Sequence, residues 1–199
     1  SFAIPWVHVP EFFLSKFIGQ SADGTYWGTN PAKLHSEYLG LSVVALASLG
    51  IGTERRRLAL WLGGIGLLFL LVALGSSTPF YRLWYEVVPF VKQTRAAGMA
   101  LYIVALVVAV FAALGVERLQ RGEGKRHAIV WLVIAGAVIV LGAVGAIGGF
   151  AAFLAQGIQQ GTGVGVASTA SAASSQIRLG AVASGVALAL VGALALGAL

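Results

Sequence analysis

Glu37, Arg82, Arg95, His35, Tyr26 and Trp27 are the residues whose types and placement suggest chemistry, namely the binding of a phosphate-bearing ligand where membrane meets water. Arg95 stands at the start of an apolar run, a helix N-terminus where a cation is disfavoured unless an anion joins it. A phosphate would suit both the guanidinium and the free amides of that helix end. Glu37 opens another apolar run, and a charge near membrane depth is costly and usually functional or paired. The competing reading of Glu37 is a favourable dipole interaction at a helix start. Arg82 lies four residues before Glu86, and an ordinary i,i+4 surface pair explains it equally well. His35 suits local hydrogen bonding, Lys92 suits an interfacial anchor, and Tyr26 and Trp27 suit the membrane interface.

No catalytic acid, base or nucleophile is identifiable. The chain has no cysteine, which removes disulfides, thiolate metal sites and cysteine nucleophiles together. His8, His35 and His127 fall on different segments, so no metal site is expected, although Glu37 could position an acceptor or a divalent cation.

The elements that must position these residues are membrane helices. Five stretches rich in Gly, Ala, Val and Leu run over about 37–52, 58–75, 96–116, 128–148 and 179–199. Several approach the ~20 residues that cross a bilayer core at ~1.5 Å per residue. With 58% hydrophobic residues, 10% charged residues and a mean hydropathy of +0.90, the chain is not a soluble domain. The fold class expected is all-α, a polytopic membrane helix bundle of about five transmembrane helices plus two short interfacial helices. Residues 1–36 would form an extracytoplasmic loop and 37–199 the transmembrane domain. The absence of an initiator Met, and a last apolar run that ends at Leu199 without a flanking charge or aromatic anchor, point to a portion of a longer protein.

The net charge of +6 arises from 13 Lys/Arg against 7 Asp/Glu. Much of the excess lies in two short loops, 54–57 and 117–127, which the positive-inside rule makes cytoplasmic. Such an excess reports loop charge near anionic lipid, and no basic-aromatic module points to nucleic acid. The remaining connections, 1–36, 76–95 and 149–178, would face outward. Within 76–89, Thr78 and Pro79 can start a helix, and Phe80, Leu83, Trp84, Val87 and Val88 form one apolar face. That helix is too short to span and should lie in the headgroup plane. Residues 8–19 repeat the design, with Pro10 at the start and Gly19 as a C-terminal cap. Gly63, Gly64 and Gly66 would let another helix approach. The stretch 161–176, without charge, reads as a flexible outer linker.

The motifs resemble the bacterial YfhO family. His35-Ser36-Glu37-Tyr38-Leu39-Gly40-Leu41 is similar to its E-x-Y-x-G-L helix start, and Leu74-Gly75-Ser76-Ser77-Thr78-Pro79-Phe80-Tyr81 to its L-G-x-x-T-P-x-Y step. The loop Pro89–Gly98, the helix end Leu114–Leu119, and Pro10–Leu14 with Tyr26-Trp27-Gly28 are also similar. Ala97 and Met99-Ala100 depart from the pattern of that loop. The resemblance covers about residues 10–119. It implies kinship with GT-C membrane glycosyltransferases of the bacterial inner membrane, which use a polyprenyl-phosphate-linked sugar. The main catalytic acid or base of such an enzyme would precede Ser1. In that case this chain supplies donor-phosphate contacts and a groove wall. The alternative is a non-catalytic scaffold or accessory subunit whose small-residue helices engage membrane protein partners. A transporter is less well supported, because the span centres carry no ionisable residue.

Overall fold

The computed structural model describes residues 3–30, 37–88, 97–162 and 165–197, the side chains of Arg82 and Thr162 excepted. The described residues are helical and contain no strand. Four long apolar helices dominate: α2 (Arg56–Leu74), α4 (Leu101–Gln120), α5 (Lys125–Ala143) and α8 (Ser174–Gly197). With their flanking turns these make four segments of 19 to 24 residues, long and apolar enough to cross a membrane. The remaining helices are α1 (Leu41–Gly50), α3 (Phe80–Val87), α6 (Ala146–Thr162) and α7 (Ala167–Ala172).

The first apolar stretch gives only the ten residues of α1, about 15 Å of helix and half a bilayer core. The reason lies outside its own sequence. The amides of Leu39 and Gly40 both donate to the Phe12 carbonyl, at 3.0 and 3.1 Å, which holds residues 37–40 out of the helix. Gly40, at φ 94°, turns the chain into α1 with a backbone conformation that side-chain-bearing residues avoid.

Contact between backbones sets the bundle. α1 and α4 lie parallel and touch through glycine: a Cβ on Gly50 would collide with the Phe111 carbonyl, and one on Gly115 with that of Leu46. Such close approach strengthens dispersion contacts where lipid provides no hydrophobic drive between helices. α5 and α8 run antiparallel, with Gly185 against Ala135 and Ile139, and Gly192 against Ala128 and Leu132. Of the three glycines expected to admit a neighbour on α2, Gly66 does so, against Val107, while Gly63 and Gly64 face open space.

The two basic loops meet at one end of the bundle. Arg55 lies 3.7 Å from Glu117, Arg121 lies 3.9 Å from Glu54, and Arg118 donates from Nη1 to the Leu49 carbonyl at 2.8 Å and from Nε to Glu123 at 2.5 Å. Arg118 thereby adds a side-chain donor to a carbonyl at the end of α1 that also accepts from the Gly52 amide at 3.2 Å. Residues 3–30 cover the opposite end. Ile4 and Phe12 pack on Ala73, Leu101 and Val104 of α2 and α4, while Phe17, Ile18 and Trp27 pack on α6, α7 and the start of α8. This cap therefore joins the two helix pairs.

Three local expectations change. Residues 8–19 do not form an amphipathic helix; Trp6–Phe12 is a 3-10 helix containing Pro10, and turns follow it. Gly19, at φ 76°, does sit in the left-handed region, and a Cβ there would strike the Thr25 carbonyl. The stretch 161–176 is not an irregular linker: it holds α7 and the first turn of α8, because Ala170, Ala173 and Ile177 bury against α6 and the cap. Finally, α3 forms as expected, but Thr78 does not cap it; its hydroxyl donates back to the Gly75 carbonyl at 3.1 Å.

Candidate functional site

Among the described residues the buried interior is apolar except for four side chains where the cap meets the helices. His8, Glu11, Glu37 and Ser184 are all buried to within 3% of complete exclusion from solvent. Bringing ionisable groups into such an interior is expensive unless each finds a partner. The Nδ1 atom of His8 lies 3.3 Å from Glu37 Oε1. Glu11 accepts from the Ile18 amide at 2.7 Å. Ser184 contacts the Tyr38 hydroxyl at 3.3 Å and accepts from the Ser15 amide at the same distance.

Ser184 is the eleventh residue of α8, so this cluster lies roughly 15 Å along that helix from its first residue. Non-helical backbone at such depth requires internal hydrogen-bond partners. The cap supplies them. Trp27 Nε1 donates to the Phe17 carbonyl at 2.9 Å, the Trp27 amide to Ile18 at 3.1 Å, and Asn30 Nδ2 to the Ala3 carbonyl at 3.1 Å. The close seat of the cap on α8 depends on Gly180, where a Cβ would strike the Ser15 carbonyl. Lys16, next in sequence, takes φ 61°, an uncommon backbone state for a residue with a side chain.

Tyr26 completes the cluster. Its ring meets that of His8 edge to face, with centroids 6.0 Å apart. Gly28 leaves the space that His8 Nε2 and the Tyr26 hydroxyl share, since a Cβ there would touch both. Neither atom completes a hydrogen bond of normal geometry among the described residues. Burial pushes the Tyr26 phenol up to about 12, the carboxylates of Glu37 and Glu11 add to the rise, and the backbone of Asn30 opposes it. The hydroxyl therefore stays protonated and can only donate a hydrogen bond or weakly accept one.

Of the residues singled out from sequence, Glu37 and Tyr26 come together, and His8 joins them. Trp27 is close in sequence but fully buried against Phe17, at a ring distance of 5.7 Å, so it lies in the core of the cap and not at an interface. Glu37 precedes α1 by four residues and does not occupy its first turn, which removes the dipole explanation. Arg82 belongs to α3, whose Leu83 and Val87 are exposed. His35, Lys92 and Arg95 lie outside the described residues. Sequence reasoning missed His8, Glu11 and Ser184. One signal was available: in a chain with only 7 Asp/Glu, two acids and a histidine sit within reach of a short aromatic segment.

No group of three or more His, Asp or Glu side chains among the described residues could hold a metal ion. The chain matches no family model, no curated protein and no solved structure. What stands is the fold: an all-helical membrane protein with four helices long enough to span and a cap wedged among them.

Proposed function

We propose that the chain is the groove-wall portion of a GT-C-like glycosyltransferase of the bacterial inner membrane, taking a polyprenyl-phosphate-linked sugar at the end of the bundle remote from the basic loops. The observation that carries this reading is α3: eight residues, too short to span, with Leu83 and Val87 exposed beside the cap. A polyprenyl-phosphate donor brings an apolar tail and an anion to one place. The apolar face of α3 suits the tail, and Arg82 with Arg95 suits the phosphate.

In the reaction, an acceptor hydroxyl oxygen bonds to the anomeric carbon as the carbon–oxygen bond to phosphate breaks. Polyprenyl phosphate departs, and the acceptor proton passes to a base. Glu37 and Glu11 are engaged in holding the cap, so the base is assigned to another part of a longer protein. Transfer from a radiolabelled polyprenyl-phosphate sugar by the full-length protein tests this. Arg95→Ala and Arg82→Ala should each lower transfer at least tenfold; unchanged transfer in both removes the reading.

A second reading, a non-catalytic accessory subunit, is favoured by a different observation. Gly63 and Gly64 of α2 face open space beside the exposed Leu60 and Trp61, a surface that would admit a partner helix closely. Purification in a gentle detergent distinguishes the two. A stoichiometric membrane partner lost on Gly64→Leu supports the subunit, and its absence supports the enzyme.

A further inference from the structure

A slot of about 480 Å³ opens on the side of the bundle between α1 and α5, with Leu188 of α8 behind it. That volume lies within the roughly 300–1,000 Å³ of small-ligand sites. Its walls are apolar: Val44 on one side, Trp131 and Ile134 on the other, and Phe13 of the cap at the top. Ser48 is the exception, and its hydroxyl is turned onto the Ala45 carbonyl at 2.6 Å. From Arg126 at the foot to Ile134, eight steps of helical rise give a length of roughly 12 Å.

The foot has opposite character. Arg126 and His127 line it, at the start of α5 and at the end of the bundle that carries both basic loops. Six other charges of those loops are engaged with one another: Arg118 with Glu123, Arg121 with Glu117 and Glu54, and Arg55 with Glu117; Arg56, Arg57 and Lys125 are not among them. No described carboxylate pairs with Arg126 or His127. The first turn of α5 holds no acidic residue, so its dipole adds to the positive potential of Arg126. An apolar slot beside helices long enough to span a membrane, ending in the Arg126 guanidinium with the His127 ring beside it, suits an amphiphile with an anionic head.

We propose that this slot is a binding site for an anionic glycerophospholipid, with an acyl chain between α1 and α5 and the phosphate held by Arg126 and His127. The short α1 creates the room, and its small residues Ala45 and Ser48 keep the slot open. The site is independent of the glycosyltransferase reading and needs only that the long helices cross a membrane.

Native mass spectrometry of the full chain in gentle detergent tests the proposal, with phosphatidylglycerol and phosphatidylcholine of identical acyl chains as probes. One phosphatidylglycerol should remain bound per chain, at concentrations where phosphatidylcholine does not. Arg126→Gln should weaken its retention about fivefold, and Arg126→Gln with His127→Gln more. Ser48→Phe, which fills the slot and leaves Arg126 and His127 in place, should also release the lipid; Val44→Phe gives the same test should Ser48→Phe not fold. Inorganic phosphate and glycerol phosphate should not displace it. Equal retention of the two lipids, indifference to the glutamine variants, or indifference to both filling variants overturns the proposal. Displacement by inorganic phosphate overturns it in favour of a free-anion site.

Discussion

His8 and Glu37 are 29 residues apart in sequence and meet at 3.3 Å in the interior, which fixes the cap to the root of α1. Glu37 leads directly into Gly40 and α1, while His8 belongs to the 3-10 helix whose last residue, Phe12, accepts the amides of Leu39 and Gly40. The pair therefore ties together the two segments whose backbone hydrogen bonds precede α1.

Breaking it should be costly. Removing one partner leaves a buried ionisable group uncompensated, so His8→Ala or Glu37→Ala should each destabilise the protein by about 3–5 kcal/mol. The double variant should lose clearly less than the sum of the two. Thermal unfolding in detergent gives all three values, and strict additivity would show that the two side chains do not act together.

The glycine contacts separate into two kinds. Gly115→Ala forces a methyl group into the Leu46 carbonyl and should push α1 from α4, at a cost of about 1–3 kcal/mol. Gly63→Ala meets nothing and should stay within about 0.5 kcal/mol of the parent. Parallel unfolding curves check this, and equal losses would contradict the backbone contact.

Tyr26 links stability to alkaline pH. Its folded-state value, raised from 10.0 to about 12, means that the folded protein keeps the phenolic proton longer than the unfolded chain. The associated stability is present below pH 10.0 and is lost as pH rises toward about 12. Tyr26→Phe should flatten this segment of the stability–pH curve. A phenolate absorbance titration with no late-titrating tyrosine would contradict it.

The joining of loops 54–57 and 117–127 at one end is testable in membranes. The chain has no cysteine, so single cysteines report without background. Thr53→Cys and Gly122→Cys should react with an impermeant maleimide from the same side, and Gly24→Cys from the other. Labelling of Thr53→Cys and Gly24→Cys from one side would refute the arrangement.

Local periodicity made most of the helices readable. The long runs around α2, α4, α5 and α8 are apolar over enough residues to dictate helix in lipid, and α3 announces itself through Pro79 and the spacing of Phe80, Leu83, Trp84 and Val87. Arg55 and Arg121 also marked one end correctly by charge alone. The misses all depended on distant partners. Residues 37–40 look helical until Phe12 takes the amides of Leu39 and Gly40, and 161–176 looks irregular until Ala170 and Ala173 bury against α6 and the cap. Glu37 was readable as a buried charge, but His8 was not readable as its partner, because no spacing rule spans 29 residues in a non-helical segment.

The cap is held from below by Ser184, and Asp23 is reached by Gln176 at 3.4 Å, both partners lying on the final helix. Within this chain, the residues that leave the ribosome earliest are thus secured by those made last. Until α8 arrives, the polar backbone of residues 13–20 has no seat in the bundle and must wait at the water boundary. A ribosome stalled ahead of Ser184 should therefore leave a bundle in which residues 13–20 remain open to protease.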